Sequence, residues 1–214
     1  MASLESKLQA ASGAFIGLFL ALHLSNLFSV LHSPALYNSF QDRLRVVYQQ
    51  PAFEIILLFS IALHGLLGVR SMLKNRPSFA KVSLTTRIQR LTGWYLLAVI
   101  AGHIFFTRFF GPAIRAEGLG FTLVSLGFFF FPYYIILGIS GVLHSIHGMS
   151  LALKRFSLPS AFLDSRIVRG FALLLSLLVV VALLFMGGVL RTLPYDVYNN
   201  AYAQKYKTMM AAFF

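Results

Sequence analysis

Four histidines stand at repeating positions inside apolar stretches of this chain. They are His23, His64, His103 and His144. His103 follows His23 by 80 residues, and His144 follows His64 by the same number. An imidazole inside membrane hydrocarbon is costly unless it binds a partner, so each is a candidate functional group. Two imidazoles form the axial ligand set of six-coordinate haem iron. An interhelical hydrogen bond, on the order of 0.6 kcal/mol, is the plainer explanation of any single histidine.

The elements that would position these histidines are membrane-spanning helices. The chain is 58% hydrophobic and 11% charged, whereas about 25% of residues in soluble domains are charged. A spanning helix needs about 20 apolar residues, and five windows satisfy this condition: 11–31, 53–73, 90–110, 131–153 and 167–190. The composition excludes a soluble globular enzyme. It predicts an all-α membrane protein with one domain, residues 1–214, and a tail at 191–214.

An internal repeat relates the first four windows. At the same offset of 80 residues other positions also coincide: Gln9 with Gln89, Ser12 with Thr92, Gly13 with Gly93, Gly68 with Gly148 and Lys74 with Lys154. The first unit covers about 9–74 and the second about 89–154, while the fifth helix, about 167–190, has no partner. Because each unit holds two spans, both copies cross in the same direction, about an axis along the membrane normal.

This axis predicts how the histidines pair. A metal ion lying on the axis takes equivalent ligands from the two copies, which predicts His23 with His103 and His64 with His144. The first four spans would then form a four-helix bundle that binds two metal groups at different depths. Cysteine is absent, which excludes cysteine-bound clusters and thioether-linked haem. Zinc fits poorly because two ligands leave its tetrahedral shell half filled, so two b haems are favoured.

The charges predict which side of the membrane each end occupies. Net charge is +12, and the eighteen basic residues stand at window ends and in loops, which is not the pattern of a nucleic-acid-binding stripe. We call the side of the N-terminus side A and the opposite side B. Eleven basic residues fall on side A and seven on side B, so the positive-inside rule places the N-terminus inside. His64 and His144 lie nearer side A, and His23 and His103 lie nearer side B.

Haem propionates are anions, so they need hydrogen-bond donors and cations near side A. The candidates are Gln9, Arg70, Gln89, Arg90 and Arg155, although ordinary positive-inside flanking explains any single arginine. His147, one helical turn after His144, is a rival ligand. His32, near the end of the first window, is expected at the membrane interface.

The sequence resembles the five-helix, two-haem cytochrome b anchor of succinate:quinone oxidoreductases and quinol:fumarate reductases, the complex II family. The matching pieces are Leu8–Gly13 followed by His23, Phe53–Ile55 followed by His64, Ile88–Gly93 followed by His103, and Val142–His144. The resemblance implies a distal haem held by His23 and His103 on side B and a proximal haem held by His64 and His144. It also implies that a flavoprotein subunit and an iron–sulfur subunit dock on side A, and a higher oligomer of the complex is a further expectation.

The resemblance further implies electron transfer between the iron–sulfur subunit and a membrane quinone, menaquinone or ubiquinone. The chain would be a non-flavin subunit of the enzyme, with no catalysis of its own. Candidate quinone residues are Asp42, Arg43, Arg45, Tyr48 and Glu54 near side B, against the alternatives of a solvated loop or a quinone site on side A. Some relatives carry a glutamate where this chain has Val142, so their proton route is not implied.

The expected location is a bacterial cytoplasmic membrane, with the mitochondrial inner membrane as the alternative. Other functions remain as competing hypotheses. Parallel repeats with polar groups at depth also describe transporters, so a haem-free transporter is the alternative function. Respiratory cytochrome b with two ligands on each of two helices does not fit one matched histidine per helix. Six-helix ascorbate-linked cytochromes fit poorly with five spans.

Overall fold

The computed structural model describes residues 3–74, 82–109, 119–125, 130–160, 166–194 and 196–211. Over these residues the regular structure is all helical. The helices are α1 (Leu4–Ser29), α2 (Pro34–Tyr48), α3 (Pro51–Lys74), α4 (Leu84–Ile104), α5 (Leu119–Ser125), α6 (Phe130–Arg155), α7 (Arg166–Met186) and α8 (Ala201–Ala211). A π-helical turn, Phe105–Phe109, continues α4.

Five of these helices are long and apolar enough to span a membrane: α1, α3, α4 with its π-helical turn to Arg108, α6 and α7. This confirms the predicted all-α class and the number of spans. The helix boundaries differ from the windows, since α1 already begins at Leu4 and α7 ends at Met186 rather than near 190. The outer face of α7 carries exposed leucines, with Leu173 at 66% and Leu177 at 59% exposure. Such a surface is compatible with lipid rather than water.

Serine residues begin three of the helices. The side-chain oxygens of Ser3, Ser33 and Ser83 accept hydrogen bonds from backbone N–H groups in the first turns of α1, α2 and α4. Each cap satisfies a donor that the helix itself leaves unpaired. Pro34 follows Ser33 as the first residue of α2, where a missing N–H costs nothing. These caps fix where the three helices begin relative to the residues of the candidate site.

The packing order of the helices determines which histidines can meet. The closest packing joins α1 with α3, α1 with α6 and α4 with α6, while α7 packs outside α6 and α1. The pairs α1 with α4 and α3 with α6 therefore stand across the interior from each other. Close approach of α6 and α7 depends on Gly138, where a Cβ would lie 2.5 Å from Val179 Cγ1. The interior between α1, α3, α4 and α6 remains open.

Candidate haem and quinone sites

A cavity of about 580 Å³ occupies this interior. All four repeated histidines line it, two on each diagonal pair of helices: His23 on α1, His64 on α3, His103 on α4 and His144 on α6. Polar side chains line both ends, and glycines and aliphatic side chains line the middle. This combination of an apolar wall with a few convergent polar groups is typical of cofactor sites.

The histidines meet in the two pairs that the repeat predicts. The ring centres of His23 and His103 are 6.1 Å apart with an interplanar angle of 79°. The ring centres of His64 and His144 are also 6.1 Å apart, with an angle of 88°. Imidazole nitrogens bind metal ions at about 2.0–2.1 Å, and adding about half a ring on each side gives ring centres on the order of 6 Å apart for axial ligands of one iron. Both separations fit a haem iron between the rings.

Hydrogen bonds orient the side-A pair. The Nδ1 atom of His64 lies 3.0 Å from the backbone oxygen of Gln9, and Nδ1 of His144 lies 3.2 Å from that of Gln89. Because a carbonyl oxygen only accepts, each Nδ1 carries the proton and donates it, which leaves the Nε2 lone pair for a metal. In agreement, Nε2 of His144 lies 3.4 Å from the amide nitrogen of Gln89, which can donate to it.

Aromatic rings surround the side-B pair. The ring of Phe19 stacks 5.8 Å from His23, and the ring of Tyr134 lies 5.9 Å from His103. The Nδ1 atom of His103 is buried and has no hydrogen-bond partner among the residues that the structure describes. Three other buried atoms on the cavity wall share this property: Asn26 Oδ1, Tyr48 Oη and Gln89 Oε1. Buried polar atoms in proteins are normally satisfied, so these four atoms are compatible with a bound polar group.

The donor set also distinguishes haem from a bare metal ion. Among the residues that the structure describes, no group of three or more histidine, aspartate or glutamate side chains is placed to hold a metal ion. Each histidine pair supplies only two imidazoles. This ligand set is incomplete for zinc but sufficient for a haem. The residues therefore fit the two b haems that the sequence implies.

Four of the five propionate candidates line the side-A end of the cavity: Gln9, Gln89, Arg90 and Arg155. A guanidinium nitrogen of Arg155 donates to Gln9 Oε1 at 3.0 Å. Arg70 is not on this cavity wall. Its side chain is 66% exposed and forms an ion pair of 3.1 Å with Glu5.

Only some of the quinone candidates line the cavity. Arg45, Tyr48 and Glu54 line the side-B end of the cavity, whereas Asp42 and Arg43 are exposed on the outer face of α2. Burial raises the pKa of the Tyr48 hydroxyl to about 12, so this group remains a hydrogen-bond donor at physiological pH. Asp42 interacts with Arg45 at 4.0 Å.

Arg108 also belongs to the side-B end of the cavity, although no motif in the sequence singles it out. Its Nη2 donates to Glu54 Oε2 at 3.0 Å and its Nε donates to the other carboxylate oxygen, and it lines the cavity. The π-helical turn after α4 sets the direction of this side chain. Such turns are frequent at functional sites but have no reliable sequence signal.

Neither of the two remaining histidines lines the cavity. His147 lies one turn after His144 on α6, outside the lining residues, and His32 is exposed beyond the end of α1.

The comparisons with known proteins add no further assignment, since no protein family model matches the chain and no curated protein matches it significantly.

Proposed function

We propose that the chain is the di-haem cytochrome b anchor subunit of a succinate:quinone oxidoreductase or quinol:fumarate reductase. One observation carries the proposal. Two pairs of histidines line one cavity, the two members of each pair are 80 residues apart in the sequence, and both pairs have a ring separation of 6.1 Å. Haem iron supplies one-electron redox chemistry when bound. His23 and His103 would hold the side-B haem, and His64 and His144 the side-A haem.

The side-A polar groups support the placement of propionates. Arg155 and Arg90 bring positive charge to the cavity wall, and the side chains of Gln9 and Gln89 bring amide donors. An anion taken out of water needs such compensation, because an unpaired buried charge is strongly destabilising. Arg70 lies outside the lining of this cavity, so its position gives no support for this role.

The side-B end supports a quinone site on that side. Here the two repeat units differ in chemistry: Glu54 corresponds to Tyr134, and Arg108 corresponds to Phe28. A quinol needs a group that accepts its hydroxyl protons and a quinone needs donors to its carbonyls. Glu54 can act as the acceptor, and Tyr48 and Arg45 as donors, all beside the distal histidine pair. Because haem ligation alone requires none of them, we assign them to quinone.

The partners follow from the same proposal. The flavoprotein and iron–sulfur subunits would dock on side A, which faces the cytoplasm in a bacterial membrane, and electrons would pass between them and quinone. Two features support docking on side A: its positively charged loops and the proximity of the His64–His144 pair to that side. The five spanning helices would anchor the complex in lipid.

Deletion of the chain from its source cells tests this assignment. We expect succinate dehydrogenase or fumarate reductase activity, measured with a soluble dye, to move from the membrane fraction to the soluble fraction. We also expect the succinate-reducible or fumarate-oxidisable b absorption of the membranes to disappear. Restoring the wild-type gene should reverse both effects. Activity that stays membrane-bound after deletion would contradict the proposal.

A further inference from the structure

His64 is interlocked with α1 by two reciprocal contacts. A Cβ at Gly13 would lie only 2.6 Å from Cε1 of His64, so the imidazole occupies the space that a side chain would need. In return, the amide of Gln9 lies against Gly68, where a Cβ would be 3.4 Å from its Nε2. Gln9 and Gly13 are one turn apart on α1, and His64 and Gly68 are one turn apart on α3. The contact at Gly13 excludes a larger residue, whereas the contact at Gly68 is ordinary packing.

The same interlock occurs between α4 and α6. A Cβ at Gly93 would lie 3.0 Å from Cε1 of His144, and a Cβ at Gly148 would lie 3.4 Å from Nε2 of Gln89. All four residues are the repeat equivalents of those between α1 and α3. The pattern in each copy is a glutamine and a glycine four residues apart, facing a histidine and a glycine four residues apart.

Hydrogen bonds fix the orientation of each imidazole that packs against a glycine, His64 against Gly13 and His144 against Gly93. The glutamine carbonyl that accepts from each Nδ1 belongs to the same turn as the glycine. Next to each glycine a hydroxyl bonds to its own helix, from Ser12 to Leu8 O at 2.9 Å and from Thr92 to Ile88 O at 2.8 Å. The Thr92 oxygen also lies 3.3 Å from Nδ1 of His144. Steric fit and hydrogen bonding thus select one ring position and one tautomer.

The side-B pair has no such device among the described residues. At Gly102, the neighbour of His103, an added Cβ would meet no described atom within 4 Å. Within the described part of the chain, the Nδ1 atom of His103 has no hydrogen-bond partner. The interlock is therefore a property of the side-A pair and not of every histidine on the cavity wall.

We propose that Gly13 and Gly93, with the backbone carbonyls of Gln9 and Gln89, are positioning residues for the side-A metal ligands. They hold Nε2 of His64 and His144 toward the cavity before the metal group binds. The identity of that group as haem rests on the proposed function, whereas the orientation of the rings does not. Partners that orient a ligand histidine typically change metal affinity by roughly 10–100-fold.

Alanine substitutions with a matched control test this proposal. Gly93→Ala, and Gly13→Ala as an independent second variant, are compared with Gly102→Ala, whose added methyl group meets nothing on the same helix α4. We expect the first two to weaken binding of the side-A haem by roughly 10–100-fold. Any side-A haem that remains should have a changed midpoint potential and electron paramagnetic resonance signal. The side-B haem of the same molecule and both haems of Gly102→Ala should be unchanged.

A second measurement separates this proposal from the proposed function. Nitrogen-15 NMR of histidine-labelled, haem-free protein should show two side chains protonated at Nδ1 and hydrogen-bonded, one of which is lost in Gly93→Ala. This pattern in a wild-type chain that never binds haem would support the interlock and refute the haem assignment. If Gly93→Ala has a wild-type tautomer pattern and binds both haems normally, or if it perturbs both haem sites equally, the interlock has no positioning role.

Discussion

Replacing either histidine of one pair with alanine is expected to remove one haem and to leave the other in place. His64→Ala should give a protein with only the side-B haem, and His23→Ala a protein with only the side-A haem. The reason is geometric, because the rings of each pair are 6.1 Å apart and share one site, while the two pairs belong to different diagonals of the helices. The haem content per chain and a redox titration measure the result, with two reduction steps expected in the wild type and one in each variant.

Double substitutions sharpen this prediction. His23→Ala with His103→Ala should lose no more haem than either single variant, because both residues serve the same group. His23→Ala with His64→Ala should lose both haems. His147→Ala is the matched control, since His147 is on α6 beside a ligand but does not line the cavity. Loss of a haem in His147→Ala, or equal loss of both haems in every single variant, would contradict the pairing.

Substitution of Arg108 by methionine is expected to slow quinol oxidation strongly while both haems remain. Methionine replaces the aliphatic part of the arginine side chain but leaves Glu54 without its two hydrogen bonds. Removing one partner of a buried charge pair costs about 2–5 kcal/mol. Because the two side chains keep 33% and 22% exposure, we expect the lower end, about 2 kcal/mol, which corresponds to a rate decrease of roughly 30-fold.

The measurement is the rate at which a water-soluble quinol reduces the haems in purified protein. Glu54→Gln should slow the same step, and its combination with Arg108→Met should be far from additive, since both variants disrupt one pair. Arg43→Ala is the control, because this exposed arginine lies outside the cavity. Wild-type quinol rates in both single variants would place the quinone elsewhere, including the side-A alternative.

The spanning helices could be predicted from sequence because long apolar runs are a strong local signal. The smaller helices could not. The amphipathic helix α2 covers the side-B end of the cavity through Tyr37, Gln41 and Tyr48, but its mixed polar sequence resembles a solvated loop. The π-helical turn of Phe105–Phe109 depends on packing at the end of α4, so nothing in its composition indicates that Arg108 would face Glu54.

The candidate site shows the same limit. The repeat identified both histidine pairs, since equivalent residues of two copies must meet on the shared axis. It also singled out Gln9 and Gln89, but for their side chains rather than for the backbone carbonyls that accept from His64 and His144. Every residue has a carbonyl, so only the packing of α1 on α3 and α4 on α6 selects these two. Arg70 is a candidate by charge alone, and the structure pairs it with Glu5 outside the lining of this cavity.

Haem analysis of the purified chain tests the central claim most directly. The pyridine haemochrome assay, combined with amino-acid analysis of the same sample, gives the number of b haems per polypeptide. Iron held between His23 and His103 and between His64 and His144 predicts two haems per chain, both reducible by dithionite. A chain purified from haem-sufficient cells with one b haem, or with none, would contradict the account, and the second result would favour a transporter.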